Sequence, residues 1–279
     1  MKRVGVLVFS PTGTTAQVCS AVAEAIPQAQ PEMLNVTLPM ERSRVLAAPE
    51  KLGDGYDRLV VGVPVYSGKV PAFAQSILAN VRGNGVRATA VVVFGNIEYG
   101  IALRTLTDLL VGNGFLVDSI GAFVGEHTYS GFMPVAKGRP DGADLEKARE
   151  FGRHIQDDLP PVWHGQIPAQ VDMFTRSKRE NGVVPYHDEK LCRQCGTCAL
   201  QCPRGIIEVH TGAYASRKAA SWCLGCASCV SACPHGARRL EPNFIQGLMG
   251  KMVMRRGVGT RTEPIYLTGQ PTGELAGNI

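Results

Sequence analysis

Two copies of one cysteine pattern constrain this chain more than any other feature. Eight of its nine cysteines lie between residues 192 and 233, in two runs of the form C-x2-C-x2-C-x3-C-P. A cubane 4Fe-4S cluster takes four thiolates at the corners of a tetrahedron, and three cysteines on one tight loop can bind three of its irons. The two runs therefore predict two 4Fe-4S clusters. The first run is Cys192, Cys195, Cys198 and Cys202, and the second is Cys223, Cys226, Cys229 and Cys233.

Zinc and disulfide bonds are the alternative interpretations of so many cysteines. Zinc sites usually take two C-x2-C pairs, without a third cysteine at the same spacing and a fourth three residues later. Disulfides are typical of exported proteins, whereas the first apolar stretch, residues 4–9, ends in a turn and is too short for a signal peptide or a membrane span. The ninth cysteine, Cys19, lies on the apolar side of a predicted helix, so we expect a buried residue there and not a ligand.

The paired runs resemble those of two-cluster bacterial ferredoxins, in which the fourth cysteine of each run ligates the cluster of the other run. That resemblance implies one ligand set of Cys192, Cys195, Cys198 and Cys233, and a second of Cys223, Cys226, Cys229 and Cys202. Pro203 and Pro234 are expected to end the short helices that carry the exchanged cysteines, because proline lacks an amide hydrogen. An outer strand is predicted at residues 206–210, between the runs.

Strands alternate with helices through the first 160 residues. Continuous apolar or β-branched runs predict strands at residues 2–9, 33–38, 57–63, 88–94 and 115–124. Amphipathic runs predict helices at residues 16–25, 72–81, 101–111 and 143–157. This alternation predicts a doubly wound, five-stranded parallel sheet of the α/β class, followed by a small α+β domain that carries the cysteines. Ligands of such sheets bind outside the carboxyl ends of the strands.

A hydroxyl-rich turn follows the first predicted strand and precedes a helix. Backbone amides at a helix N-terminus and the helix dipole favour an anion, so a phosphate is predicted here. The turn lacks the Gly-Lys-Ser/Thr ending of a P-loop and the G-x-G-x-x-G of a dinucleotide site. It resembles the flavodoxin phosphate loop, Ser/Thr-x-Thr-Gly-x-Thr, which holds the 5′-phosphate of FMN without lysine or arginine. Threonine turns that merely cap helices are the alternative. The turn contains Ser10, Thr12, Gly13, Thr14 and Thr15.

Two more loops are expected at the same edge of the sheet, after the third and fourth strands. Each contains a tyrosine, Tyr66 or Tyr99. The flavodoxin resemblance implies that the isoalloxazine ring lies between these loops, against both tyrosines; ordinary half-buried loop tyrosines are the alternative. The flavin contacts implied in these loops are Pro64, Val65, Tyr66, Ser67, Gly68, Lys69, Gly95, Asn96, Tyr99 and Gly100.

Glu126 and His127 follow the fifth predicted strand at this edge, with Arg139 and Asp141 further on. The whole combination, from about residue 3 to residue 242, resembles the bacterial flavodoxin-ferredoxin fusion proteins, also called iron-sulfur-containing flavodoxins. Glu126 and His127 are then candidate catalytic residues that protonate flavin N5 or a substrate. A structural network of ion pairs and turns is an equally good interpretation of these polar residues.

The sequence divides into four segments. Residues 1–158 are predicted to form a flavodoxin-like FMN-binding domain, residues 159–185 a proline-bearing linker with a short helix near 169–179, and residues 186–242 the ferredoxin domain. Residues 243–279 form a methionine-rich, basic tail, expected to pack back on the first domain; a helix that docks a partner or a membrane surface is the alternative.

Charge is distributed unevenly along the chain. The first 160 residues carry 15 Lys and Arg against 16 Asp and Glu, whereas residues 161–279 carry 14 against 8. The basic half suggests an acidic redox partner, or simply a solvated surface. No nucleic-acid motif accompanies the basic residues, and no apolar run reaches membrane-spanning length. We therefore predict a cytoplasmic protein without nucleic acid or membrane span, its oligomeric state, a dimer included, left open.

These features predict an electron-transfer iron-sulfur flavoprotein. It would relay electrons between an external redox partner, two 4Fe-4S clusters and FMN. The alternative is a flavin-dependent oxidoreductase that reduces a small organic or quinone substrate over the FMN with electrons from the clusters. A regulatory redox sensor is weaker, and direct oxidation of NADH is disfavoured because a nicotinamide-binding fingerprint is missing.

Overall fold

The first domain is built on five parallel strands, in a computed structural model that describes residues 1–162, 164–170 and 183–269. The strand order is β2-β1-β3-β4-β5, which is the flavodoxin-like order of a doubly wound sheet. Nearly every residue of β3 and β4 is buried because helices cover both faces. The strands are β1 (Lys2–Val8), β2 (Ala29–Asn35), β3 (Arg58–Pro64), β4 (Arg87–Phe94) and β5 (Leu116–Val124).

Two apolar layers hold the helices against this sheet. One layer joins the valines of β1 to α1 and α5, and the other joins β3 and β4 to α3 and α4. Cys19 is fully buried in the first layer, against Gly62 of β3. The helices are α1 (Thr14–Ala25), α2 (Pro39–Val45), α3 (Ala72–Leu78), α4 (Ala102–Gly112) and α5 (Gly142–Arg153).

Among the five parallel strands, the second differs most from its sequence-based prediction. It begins at Ala29, four residues before the predicted start, because Lys2 to Val8 of β1 pair with Ala29 to Asn35 in register. β2 is an edge strand whose Gln30 and Glu32 face solvent. A search for apolar runs overlooks such half-exposed polar positions.

The cysteine-bearing segment forms a small domain with little regular structure. Its strands β6 (Tyr186–His187) and β7 (Arg238–Arg239) pair antiparallel. Residues 206–210 do not form the predicted strand; Ile207 and Tyr214 make only an isolated bridge. The predicted helix at 169–179 lies mostly outside the described residues. The short helices are α6 (Thr197–Leu200), α7 (Arg217–Ala220) and α8 (Ser228–Ser231).

The chain then returns to the first domain. Helix α9 (Phe244–Met254) leads to β8 (Ile265–Thr268), which pairs antiparallel with β5. The sheet therefore has six strands, and the predicted five-stranded sheet lacked this antiparallel edge. None of the helices in the described ranges is long and apolar enough to cross a lipid bilayer.

An arginine-aromatic contact also joins the two domains. Arg204, two residues after Cys202, lies 4.4 Å over the ring of Phe73 in α3, and Arg42 of α2 lies 5.0 Å from the same ring. Arg42 also donates to the carbonyl of Pro203 at 3.4 Å. Cation-π contacts of this kind contribute about 0.5–2 kcal/mol each. The Arg204 contact and the hydrogen bond from Arg42 to Pro203 hold the cysteine-bearing domain against the α3 side of the sheet.

Candidate functional site

A cleft of ≈ 240 Å³ opens at the carboxyl edge of the parallel sheet. The loops after β1, β3, β4 and β5 form its walls, as expected for a doubly wound sheet. Two walls come from elsewhere in the chain. Leu224 and Gly225 reach it from the second cysteine run, and Val253 and Met254 reach it from α9.

The turn before α1 divides its hydroxyl groups between two tasks. Thr12 and Thr14 line the cleft. Ser10 holds the turn together, since its Oγ accepts from the amide of Ala16 at 3.0 Å, and Thr15 is 1% exposed. Gly13 has φ 86°, a left-handed conformation that glycine adopts without strain. The first amides of α1 have no partner within the helix, so this end of the cleft suits an anion.

The loop after β3 is a tight hairpin that carries Tyr66 into the cleft. Tyr66 and Lys69 exchange backbone hydrogen bonds of 2.9 and 3.1 Å around Ser67 and Gly68, which both have positive φ. Burial, and then the neighbouring Cys226, raise the pKa of the Tyr66 phenol well above its usual value. Tyr66 therefore remains a neutral hydrogen-bond donor beside the second cysteine run. Lys69 does not line the cleft.

Tyr99 lies elsewhere than the flavodoxin resemblance implies. Its side chain is 2% exposed and packs edge-on against Phe94, with ring centroids 5.6 Å apart. The ring belongs to the apolar layer that also contains Ala102 and Leu103 of α4. From this loop Gly95, Ile97 and Glu98 line the cleft.

Asn96 is also turned away from the cleft, and it anchors the returning chain. Its side-chain nitrogen donates to the carbonyls of Gly257 and Thr260 at 3.0 and 2.9 Å, and its oxygen accepts from the amide of Thr262 at 3.1 Å. The side chain of Asn96 therefore has a structural role, since the carbonyls after α9 need a donor, and its contact with a flavin stays a prediction. Gly100 and Gly13 lie outside the lining as well.

Arg139 and Asp141 belong to a structural network. The buried Arg139 pairs with Asp144, and it donates to Asn96 Oδ1 at 3.1 Å and to the carbonyl of Thr262 at 3.2 Å. Asp141 caps α5 by accepting from the amides of Ala143 and Asp144. These two residues therefore fix α5 and the returning chain, which is the structural interpretation of that polar cluster.

His127 and Glu126 do line the cleft. The ring of His127 lies on Gly95, where a Cβ would approach its Cδ2 to 2.4 Å. Its Nδ1 accepts from the amide of Tyr129 at 3.1 Å, so in the neutral ring Nε2 carries the hydrogen. The Glu126 carboxylate accepts from Ser130 and from the amide of Gly138, which fold the following loop around it.

His127 should make the fold sensitive to mild acid. Burial lowers its pKa from 6.5 to about 4. Between those two values the unfolded chain binds the proton more readily, so stability falls as the pH falls. The unaltered protein should lose about 2 kcal/mol more of its unfolding free energy between pH 7 and pH 5 than the His127→Gln variant loses. Denaturation midpoints measured at pH 7 and at pH 5 give this difference, and His210→Gln, which replaces an exposed histidine, is the control. Equal losses in all three proteins would contradict it.

The eight cysteines surround two cavities in the exchanged arrangement. One cavity is lined by Cys192, Cys195, Cys198 and Cys233, and we call it the outer cavity. The inner cavity is lined by Cys202, Cys223, Cys226 and Cys229. Each cavity thus takes three cysteines from one run and the last cysteine of the other. Among the described residues no three His, Cys, Asp or Glu side chains converge on a single metal ion.

The backbone around the two cavities repeats. Gln194 and Gly225 occupy equivalent positions with φ 54° and 64°, and their amides donate to the sulfurs of Cys192 and Cys223, at 3.4 Å in both cases. Gly196 and Ala227 repeat a second positive φ. Amides turned toward sulfur suit thiolates that carry iron. The cysteines therefore fit two cubane clusters related by a pseudo-twofold.

The two cavities differ in depth and in distance from the cleft. Cys202, Cys226 and Cys229 of the inner cavity are buried, whereas Cys195 of the outer cavity is exposed. Leu224 lines both the inner cavity and the cleft. The inner cavity and the cleft are therefore neighbours across a single side chain. The sequence pattern did not identify Leu224 or Met254 as site residues. Met254 lies in the methionine-rich segment after residue 243, and methionine adapts to irregular apolar surfaces.

Family models match the cysteine-bearing part of the chain. A family model described as a 4Fe-4S dicluster domain matches residues 184–234, and one described as a 4Fe-4S binding domain matches residues 220–249. Comparison with curated proteins gives no match.

Solved structures resemble the chain over about half its length. A flavodoxin from the domain Archaea is 14% identical, covering 54% of this chain and 94% of its own, with a TM-score of 0.39. An azoreductase from Bacillus anthracis str. Sterne is 14% identical, covering 56% and 100%, with a TM-score of 0.40. A flavin mononucleotide-bound flavodoxin from Fusobacterium nucleatum is 18% identical, covering 42% and 69%, with a TM-score of 0.32. Scores this low carry no weight, and the assignment of the fold rests on the strand order.

Proposed function

Because the chain joins a flavodoxin-like domain to a 4Fe-4S dicluster domain, we propose that it is an electron-transfer protein. It relays electrons between an external redox partner, two 4Fe-4S clusters and FMN. The observation that carries the proposal is the position of Leu224, which lines both the inner cavity and the cleft. When bound, each cluster supplies a one-electron carrier and the flavin a carrier of one or two electrons.

The residues of the cleft suit FMN from end to end. Thr12, Thr14 and the first amides of α1 would bind the phosphate. The hairpin at 64–68 and the loop at 95–98 would hold the ring, with Tyr66 as a neutral donor. Leu224 would cover the side of the cleft that faces the inner cavity, and Met254, which is 2% exposed, would cover the side formed by α9.

The eight cysteines would hold the clusters in the exchanged sets. The set around the inner cavity serves the flavin, because Leu224 follows Cys223 directly and reaches the cleft. The set around the outer cavity serves the partner, because its Cys195 is exposed. The basic composition of this half of the chain favours a partner with an acidic surface.

Cofactor content tests the proposal directly. The protein is purified without oxygen, and iron, acid-labile sulfide and released flavin are measured per chain. We expect about eight irons and one FMN. Eight irons without flavin, even after incubation with FMN, would contradict the flavin relay and leave the cluster sites intact.

The position of His127 favours a second candidate function, reduction of a small organic or quinone substrate in the cleft. His127 lines the cleft, and the Nε2 hydrogen of its neutral ring could bind a substrate carbonyl there. His127→Ala should then lower the rate of substrate reduction more than tenfold, while the rate of electron transfer from partner to flavin stays nearly unchanged. Stopped-flow absorbance of the flavin separates the two steps. Parallel loss of both would point to a structural role for His127 instead.

A further inference from the structure

Arg238 is a buried cation beside the outer cavity. It lies in β7, opposite His187, and is 2% exposed. Its side chain lines the outer cavity together with the four cysteines there. A guanidinium carries a permanent positive charge, and burying one costs several kcal/mol unless it is paired. This charge therefore needs a partner.

The described residues supply only part of that partner. One nitrogen, Nη2, donates to the carbonyl of Gly212, and the guanidinium carbon lies 4.7 Å over the ring of Tyr214. Nε and Nη1 are buried and have no acceptor in residues 1–162, 164–170 and 183–269. Within the same ranges Arg238 makes no ion pair, whereas its neighbour Arg239 pairs with Asp188 and Glu241.

The same charge lies near the inner cavity. Tyr214, on which the guanidinium stacks, lines that cavity. One cation thus stands between two groups of four cysteines. Negatively charged hydrogen-bond acceptors on both sides would satisfy the guanidinium.

We infer that Arg238 is a positioning residue that supplies the counter-charge shared by the two clusters. Its free Nε and Nη1 groups donate hydrogen bonds to sulfur atoms in the outer cavity, and its charge acts on both clusters. Reduction adds one negative charge to a cluster, so a buried cation beside it favours the reduced form. The inference rests on the proposed ligation of the clusters and does not depend on the flavin.

The test compares two adjacent arginines. Arg238→Gln removes the buried charge and keeps a hydrogen-bond donor, whereas Arg239→Gln removes an exposed charge one residue away. Iron per chain is measured first, and the clusters are then titrated electrochemically and followed by electron paramagnetic resonance. At a fixed potential we expect Arg238→Gln to lower the ratio of reduced to oxidised cluster about tenfold, which is 59 mV for a one-electron couple. Arg239→Gln should change it less than twofold.

Full iron content with an unchanged ratio of reduced to oxidised cluster in Arg238→Gln would overturn the inference. If Arg238→Gln fails to bind iron, Arg238→Lys decides, since lysine keeps the charge and loses the planar fork. Full iron and nearly unchanged ratios in that variant support the counter-charge, and loss of iron there would show a purely structural role and overturn it. Absence of iron from the unaltered protein would instead sink the proposed function itself.

Discussion

Cys233→Ser should expose the three cysteines of the other run. The outer cavity takes Cys233 from the second run and its other three cysteines from the first. Loss of this ligand should reduce the iron content from about eight to about four per chain. Anaerobic alkylation followed by peptide mass spectrometry should then label Cys192, Cys195 and Cys198, while the cysteines of the inner cavity stay protected.

The mirror-image variant provides the control. Cys202→Ser should expose Cys223, Cys226 and Cys229 instead, because Cys202 lines the inner cavity. Cys19→Ser should keep all the iron, because Cys19 is buried beneath the sheet and far along the chain from both runs. Labelling of Cys223, Cys226 and Cys229 in Cys233→Ser would show that each run binds its own cluster, contrary to the exchanged arrangement.

Asp118→Ala should cost the fold about 3–5 kcal/mol. Asp118 in β5 is fully buried, and both of its oxygens accept from Arg58, at 2.5 and 2.8 Å. Arg87 adds a third contact at 2.7 Å. Removing the carboxylate leaves the buried guanidinium of Arg58 without its anion, and that desolvated charge dominates the cost.

Unfolding by denaturant under anaerobic conditions, followed by circular dichroism, measures this effect. The matched control is Glu32→Ala, which removes an exposed carboxylate 3.6 Å from Arg3 and should cost less than about 1 kcal/mol. Similar losses in the two variants would mean that water or a neighbouring group compensates Arg58. Arg58 and Asp118 lie near the amino ends of their strands, away from the cleft at the carboxyl edge. The cleft should therefore keep its flavin in both variants.

The sequence predicts the parallel strands well where both faces are buried. The uninterrupted apolar runs of β3, β4 and β5 give their ends to within one residue. The edge strands are harder, because a half-exposed strand such as β2 mixes polar and apolar residues. The strand β8 is only four residues long and follows a polar stretch, so no local pattern links it to β5.

The candidate site divides in the same way. The cysteine spacing is a local signal, and the two cavities contain the predicted sets. Whether a loop aromatic faces a cleft or the core depends on distant neighbours, and Tyr66 and Tyr99 have opposite outcomes. Leu224 reaches the cleft only through docking of the two domains. Arg238 is indistinguishable from Arg239 in the sequence, since burial alone separates them.

The pairing of β8 with β5 sets an order of events during synthesis. The two strands pair across residues 119 and 268, and all eight clustered cysteines lie between them. A ribosome must therefore release the whole cysteine-bearing domain before the sheet receives its sixth strand and the cleft receives its wall from α9. The nascent flavodoxin-like domain leaves the ribosome with that wall missing. Iron can thus reach the cysteines before the last side of the cleft exists.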